Sequence, residues 1–164
     1  MRMFLISLVL MAALSGVATR ALADAAADGR AVSDAFAKAV AAGDVQAVLA
    51  LYRDDASVIW PGQGEEAKGK AAIEPLARNL IAAAKSGTVV LKSQESTPLG
   101  DGYIVNVGRW EETAVGPGGK KMVVTIRTSE VLAKTDGKWL YLVDHASVGA
   151  PPPPAHARRK PASR

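Results

Sequence analysis

The chain of 164 residues has no cysteine and only two histidines, His145 and His156. Without cysteine there can be no disulfide, thiolate metal centre, cysteine nucleophile or cysteine-linked lipid. With one histidine in a strand pattern and the other in a tail, the residues call for no metal and no cofactor, leaving open only a site made of carboxylates. The one extended apolar run, residues 4–18, has fifteen residues and falls short of the roughly 20 that span a bilayer. There is no GxSxG elbow and no serine with a histidine in its sequence context, so a hydrolase triad has no support.

Basic charge is also scarce where nucleic acid would need it. The formal charge is +4, but Arg2, Arg20, Arg158, Arg159, Lys160 and Arg164 are six of the twenty basic residues; residues 24–150 keep 14 against 16 acidic ones. A domain of net −2 lacks the basic face of a nucleic-acid binder.

What is present begins with a secretory pattern. Arg2 precedes the apolar run, and Ala21, Leu22 and Ala23 form an A-x-A cleavage site. Residues 1–23 are expected to be a cleaved signal peptide, with a mature chain from Asp24 exported to the periplasm or beyond and no stable membrane anchor. Residues 24–149 are expected to form one domain that relies on its apolar core. Residues 150–164, with four consecutive prolines and a basic stretch, are expected to be a disordered or polyproline tail.

Within the domain, residues 24–43 and 45–52 repeat apolar positions at helical spacing, separated by Gly43 and the capping residue Asp44. Residues 56–60 read as a strand ending at Pro61, and residues 70–85 as a third helix. The period then changes to two over residues 88–96, 103–115, 121–134 and 138–148, separated by glycine, proline or Asp-Gly turns. The order α-α-β-α-β-β-β-β predicts an α+β fold: three N-terminal helices packed in the concave face of a curved, mostly antiparallel sheet.

Gly64 to Lys70 spells GxxxxGK, the outline of a phosphate-binding loop. Ala71 stands where a hydroxyl should hold Mg²⁺, and Glu65 and Glu66 would repel phosphate, so the motif is rejected. The pairs Asp54–Asp55 and Glu111–Glu112 point to opposite faces of a strand and do not converge.

The last two strands carry the least expected residues. A two-residue turn at Asp136 and Gly137 would set Leu140 opposite Ala133, Leu142 opposite Val131, Asp144 opposite Ser129 and Ala146 opposite Arg127, all on one face. Arg127 and Asp144 are then diagonal neighbours and are expected to pair. The other face would carry Trp139, Tyr141, Val143 and His145, with Thr128, Glu130 and Leu132 across from them, as a surface for a second copy. A bulge would break this register and exchange faces on one strand.

The element order resembles the SnoaL-like, nuclear transport factor 2-like superfamily over residues 28–148. The resemblance rests on Ala42-Gly43-Asp44, on Tyr52 to Ala56, on Gly69 to Ile73, on Gly137-Lys138-Trp139 and on Asp144 to Ser147. It implies a cone with a pocket inside and usually a homodimer, for members that include isomerases, cyclases, dehydratases and non-catalytic association domains. The ketosteroid isomerases of that group use a tyrosine in helix one, an aspartate ending strand one and a protonated aspartate in the meander. Those places fall here on Phe36, Trp60 and Ser129, so that chemistry is not expected and the catalytic residues, if any, are unknown. Two readings follow. In one, Phe36, Trp60, Ser129, Leu142, Arg127 and Asp144 line a pocket for a small organic molecule; in the other the domain is a non-catalytic dimerisation or association module.

Overall fold

The computed structural model describes residues 3–61, 66–84, 87–115 and 117–149, with side chains for 20–61, 66–84, 87–113 and 118–149. The tail from residue 150 and Gly64 and Glu65 of the rejected loop motif lie outside the described residues. Helix α1 (Met3–Ala42) is followed by α2 (Val45–Ala50), β1 (Tyr52–Ile59), β2 (Ala67–Lys68), α3 (Lys70–Ala84), β3 (Val89–Leu99), β4 (Tyr103–Val115), β5 (Lys121–Thr135) and β6 (Lys138–Val148). The expected order stands, with β2 added and with Tyr52 opening the first strand rather than closing the second helix. Among the described residues no helix is long and apolar enough to cross a membrane.

Local chemistry sets these boundaries. Asp44 caps α2 by accepting a hydrogen bond from the Ala47 N–H at 2.9 Å. Gly69 sits at φ 77°, donates its N–H to the Ala56 carbonyl at 2.8 Å and accepts from the first N–H groups of α3. The glycine of the apparent phosphate loop is therefore a helix start that needs left-handed backbone. Asp136 and Gly137, at φ 50° and 77°, make the expected two-residue hairpin.

All six strands form one curved sheet in the order β2-β1-β6-β5-β4-β3, with β1 parallel to β6 and the other pairs antiparallel. The helices fill its concave side. Phe36 and Val40 of α1, Val48 of α2, and Ile73, Leu76 and Ile81 of α3 meet Tyr52, Val58, Ile104, Leu132 and Tyr141 from the sheet in one core. Each such side chain, once buried, contributes roughly 1.5–3 kcal/mol. Among the residues of α1 with described side chains, 20–24 are exposed and Ala25 is buried.

The β5–β6 pair holds the largest departure from expectation. From Thr135↔Lys138 to Leu132↔Tyr141 the register is the expected one; the next pair is Val131↔Val143, so Leu142 is an extra residue in a bulge. The phase of alternation in β6 changes there. Tyr141 points into the cone and so does Asp144, three residues on, while Val143 and His145 are exposed on the outer face. Trp139 is half-buried and donates its Nε1–H to Asp28 of α1 at 2.8 Å. The outward aromatic face expected from Trp139 and Tyr141 does not form, because the face they share with Leu132 is the inner one, and the bulge beyond them exposes Val143 and His145 instead.

Helix α1 lies close against the sheet at Gly29. Ser33 Oγ donates to Gln94 Oε1 at 2.6 Å and Gln94 Nε2 to Ser96 Oγ at 3.1 Å, next to Asn106. A Cβ on Gly29 would lie 2.5 Å from Ser96 Oγ and 2.6 Å from Asn106 Oδ1. Alanine improves an ordinary helix interior by roughly 0.5–1 kcal/mol. Here Gly29→Ala is expected to lower stability by about 1–3 kcal/mol through overpacking, measured by urea denaturation. A stabilised variant would show that the helix can move away at no cost.

Candidate functional site

The interior of the cone holds a cavity of about 310 Å³ between α1, α3 and the concave face of the sheet. Its wall is mostly apolar, with Phe36, Trp60, Leu76, Trp110, Ile126, Tyr141 and Ala146. Phe36 stands edge-on to three rings, with centroids 6.0 Å from Trp60, 5.9 Å from Trp110 and 6.3 Å from Tyr141. Tyr52 and Tyr141 stack at 4.9 Å behind them. The polar lining comprises Asn79, Glu112, Thr128, Glu130 and Asp144.

Two of those carboxyls are neighbours. Glu130 of β5 is the cross-strand partner of Asp144 of β6, both facing inward and only 3% and 6% exposed. Asp144 Oδ2 accepts hydrogen bonds from Tyr52 Oη at 2.7 Å and Trp60 Nε1 at 2.8 Å, tying β6 to both ends of the β1 segment. Glu130 Oε2 accepts one longer bond, 3.3 Å, from Asn106 Nδ2. Thr128 and the Asn106 carbonyl are the exceptions: Thr128 Oγ1 and Asn106 Oδ1 are buried with no hydrogen-bond partner among the described residues.

The difference in hydrogen bonding divides the pair electrostatically. Burial, followed by the neighbouring Asp144 charge, raises Glu130 from its ordinary 4.5 to about 7, offset in part by the Thr128 hydroxyl and then by the Asn106 amide. Thr128 stands beside Glu130 and favours its charged form, although its hydroxyl makes no hydrogen bond of good geometry. Burial also raises Asp144, but the Tyr52 and Trp60 donors and the nearby His145 favour its charged form. With two donors Asp144 is the more readily ionised of the two, and with one long bond Glu130 is the better holder of a shared proton. Burial and the Asp144 charge correspondingly hold Tyr52 well above the usual phenol range, so it remains a donor. Such a pair can give up a hydrogen bond or proton at one carboxyl and accept one at the other. Among the described residues no third His, Cys, Asp or Glu joins them to hold a metal ion.

Of the six residues singled out from the sequence, Phe36, Trp60 and Asp144 line the cavity. Arg127 and Ser129 are exposed on the outer face, Ser129 opposite His145 and Arg127 opposite Ser147; Leu142 is the half-buried bulge residue. The expected Arg127–Asp144 ion pair is not formed, because the bulge turns Asp144 inward while β5 keeps its odd-numbered residues outward. Arg127 instead lies beside Gly149. The inward place in the meander expected at Ser129 is held by Glu130, which supplies a carboxylic acid; Phe36 and Trp60 still provide neither an oxyanion-donating tyrosine nor a carboxylate base. Glu130 was hidden in the sequence because an acidic residue in an alternating strand ordinarily marks the solvent face.

A curved sheet around three helices, with a buried carboxyl pair opening on an internal cavity, defines a cone-fold α+β protein. The chain belongs to the SnoaL-like domain family, whose model matches residues 30–151. A search of curated proteins found no match. Among solved structures, a Xanthomonas campestris protein named for the calcium/calmodulin dependent protein kinase II association domain is 27% identical, with a TM-score of 0.66 over 73% of this chain and 84% of that one. A ketosteroid isomerase-like protein from Erwinia carotovora atroseptica is 22% identical, with a TM-score of 0.63 over 76% and 96%. A Streptomyces avermitilis member of the NTF2-like family, named for a dehydratase, is 16% identical, with a TM-score of 0.67 over 78% and 98%. The last two share the fold alone.

Glu130 makes stability depend on pH. The unfolded chain releases this proton near 4.5 and the folded chain near 7, so the folded state binds more protons in between and stability falls as pH rises through that window. The raised Asp144 acts in the same direction. The displacement of Glu130 corresponds to about 3 kcal/mol lost between about pH 4.5 and pH 8. Glu130→Gln is expected to remove that share, read from urea denaturation across the range; parallel curves for the two proteins would refute the assignment.

Proposed function

We propose that this SnoaL-like chain is exported and that its cone binds a small, largely apolar organic molecule anchored by the Glu130–Asp144 pair. The observation that carries this reading is the placement of two buried, adjacent carboxyls on the wall of a 310 Å³ cavity, with no cation paired to either among the described residues. A carboxyl pair in a core costs stability unless compensated, so its presence in a concave, apolar space supports a ligand role over a packing role. Protons can be exchanged with the ligand at these two groups, and the ketosteroid isomerase arrangement is not what they form. Export is supported by the A-x-A site and by the exposure of residues 20–24 around it, since cleavage after Ala23 leaves the buried Ala25 and the rest of the described core of α1 in place.

Thermal shift with a library of small organic molecules tests the reading. A ligand at 100 times its Kd stabilises the folded state by about 2.7 kcal/mol. Ala146→Phe, which fills the cavity two residues beyond Asp144 on the same strand face, is expected to abolish the shift. Hits that raise the melting temperature of Ala146→Phe equally, or a library without hits, would sink the proposal.

A second function, self-association, is favoured by a different observation. On the outer face, adjacent register rows place Val107, Ser129, His145 and Ile59 beside Val105, Val131 and Val143. Val107, Ile59 and Val143 are 57%, 44% and 38% exposed, an apolar patch in the middle of a sheet. A homodimer formed through it would cover both patches. Light scattering is expected to give twice the monomer mass, and Val107→Glu combined with Val143→Lys to give the monomer. A monomeric wild-type protein would refute the dimer and leave the cavity reading intact.

A further inference from the structure

The charge of the cavity wall selects among organic ligands. Its described lining residues include three carboxyl side chains, Glu112, Glu130 and Asp144, and no Lys, Arg or His. Asp144 is only 6% exposed, and both of its donors bond the same oxygen, Oδ2, so Oδ1 receives neither bond. Thr128, on the same wall and 7% exposed, adds a hydroxyl with no hydrogen-bond partner among the described residues. The surrounding Phe36, Trp60 and Trp110 are the side chains that attract organic cations. An anionic ligand would meet like charge in a space of low dielectric, and a neutral one would leave the Asp144 charge without a counterion.

We propose that the ligand is an organic amine, bound as its ammonium ion: the nitrogen pairs with Asp144 beside Thr128, and an aromatic or aliphatic body fills the space between Phe36, Trp60 and Trp110. This inference rests on the reading of the cavity as a binding site and names the ligand class for it. Binding draws the proton from Glu130, because a cation at the pair stabilises both carboxylates. The titratable groups that face Glu130 are Asp144 and Tyr141 on β6 and Tyr52 on β1, with Glu112 further along the cavity wall on β4. The tyrosines stay protonated throughout the neutral range. Amine affinity therefore rises with pH as Glu130 ionises.

Three compounds with one body and different heads provide the test: tryptamine, indole-3-ethanol and indole-3-acetate, titrated calorimetrically into the wild-type protein. Tryptamine is expected to bind at least tenfold more tightly than the alcohol, the acid to give no measurable heat, and tryptamine affinity to strengthen several-fold between about pH 6 and pH 8. Asp144→Asn is expected to remove the preference for the amine. Equal or tighter binding of the alcohol or acid overturns the amine assignment, and if that binding is lost in Ala146→Phe the cavity is still a ligand site. A preference that survives Asp144→Asn also overturns it. Absence of binding by all three overturns it, and a blank library screen would then remove the underlying reading too. Should Asp144→Asn fail to fold, the head-group series on the wild-type protein decides the question unaided.

Discussion

Asp144 accepts hydrogen bonds from a tyrosine that opens a strand and a tryptophan just past its end, more than eighty residues earlier in the chain, and the interior of the cone is arranged around that contact. The two donors hold the last strand against the first, fix the tilt of two large rings and favour a negative charge at a carboxyl that is 6% exposed on the cavity wall. Charge-assisted bonds of this kind contribute roughly 1.5–3 kcal/mol each, enough to offset much of the cost of burying one carboxylate but not two. The second carboxyl, Glu130, is therefore the better holder of a proton. Its single 3.3 Å bond to Asn106 is too weak to make it a second anion.

The bulge at Leu142 makes this possible. With regular alternation, Tyr141 and Asp144 would face opposite ways, and the cone would lose either the ring that stacks on Tyr52 or the carboxylate that Tyr52 and Trp60 engage. One extra residue brings both inside. It also leaves Val143 beside Val131 on the outside, so the same irregularity shapes the cavity wall and the apolar outer patch.

The helices, the meander and the Asp-Gly hairpin were legible in the sequence because each rests on a local rule: apolar spacing, a capping residue, a residue pair suited to positive φ. The α+β cone and its family followed from their order. The site was legible only in part. Phe36, Trp60 and Asp144 could be found because an aromatic helix face, a strand end and an acid in an apolar strand each stand out. Glu130, Thr128 and Tyr141 could not, since nothing in residues 138–148 distinguishes a strand with a bulge from one without, and a shift of one position exchanges every face. Assigning Arg127 to Asp144 was sound chemistry applied to the wrong register. The spacing of Tyr52 from Val45, Val48 and Leu49 fits a helix; pairing of β1 with β6 overrides that preference.

The parallel pairing of β1 with β6 also governs how the chain can fold. Strands β3 to β6 join neighbours through short connections and can form from local contacts, but β1 waits for the last strand. A chain still being made, or one that ends before β6, has Tyr52 and Trp60 without their acceptor and β1 without its main partner. Closing so long a loop is slow compared with forming hairpins. The cone is thus completed from its C-terminal side, and until residue 144 is in place the aromatic wall remains an open, sticky surface rather than an interior.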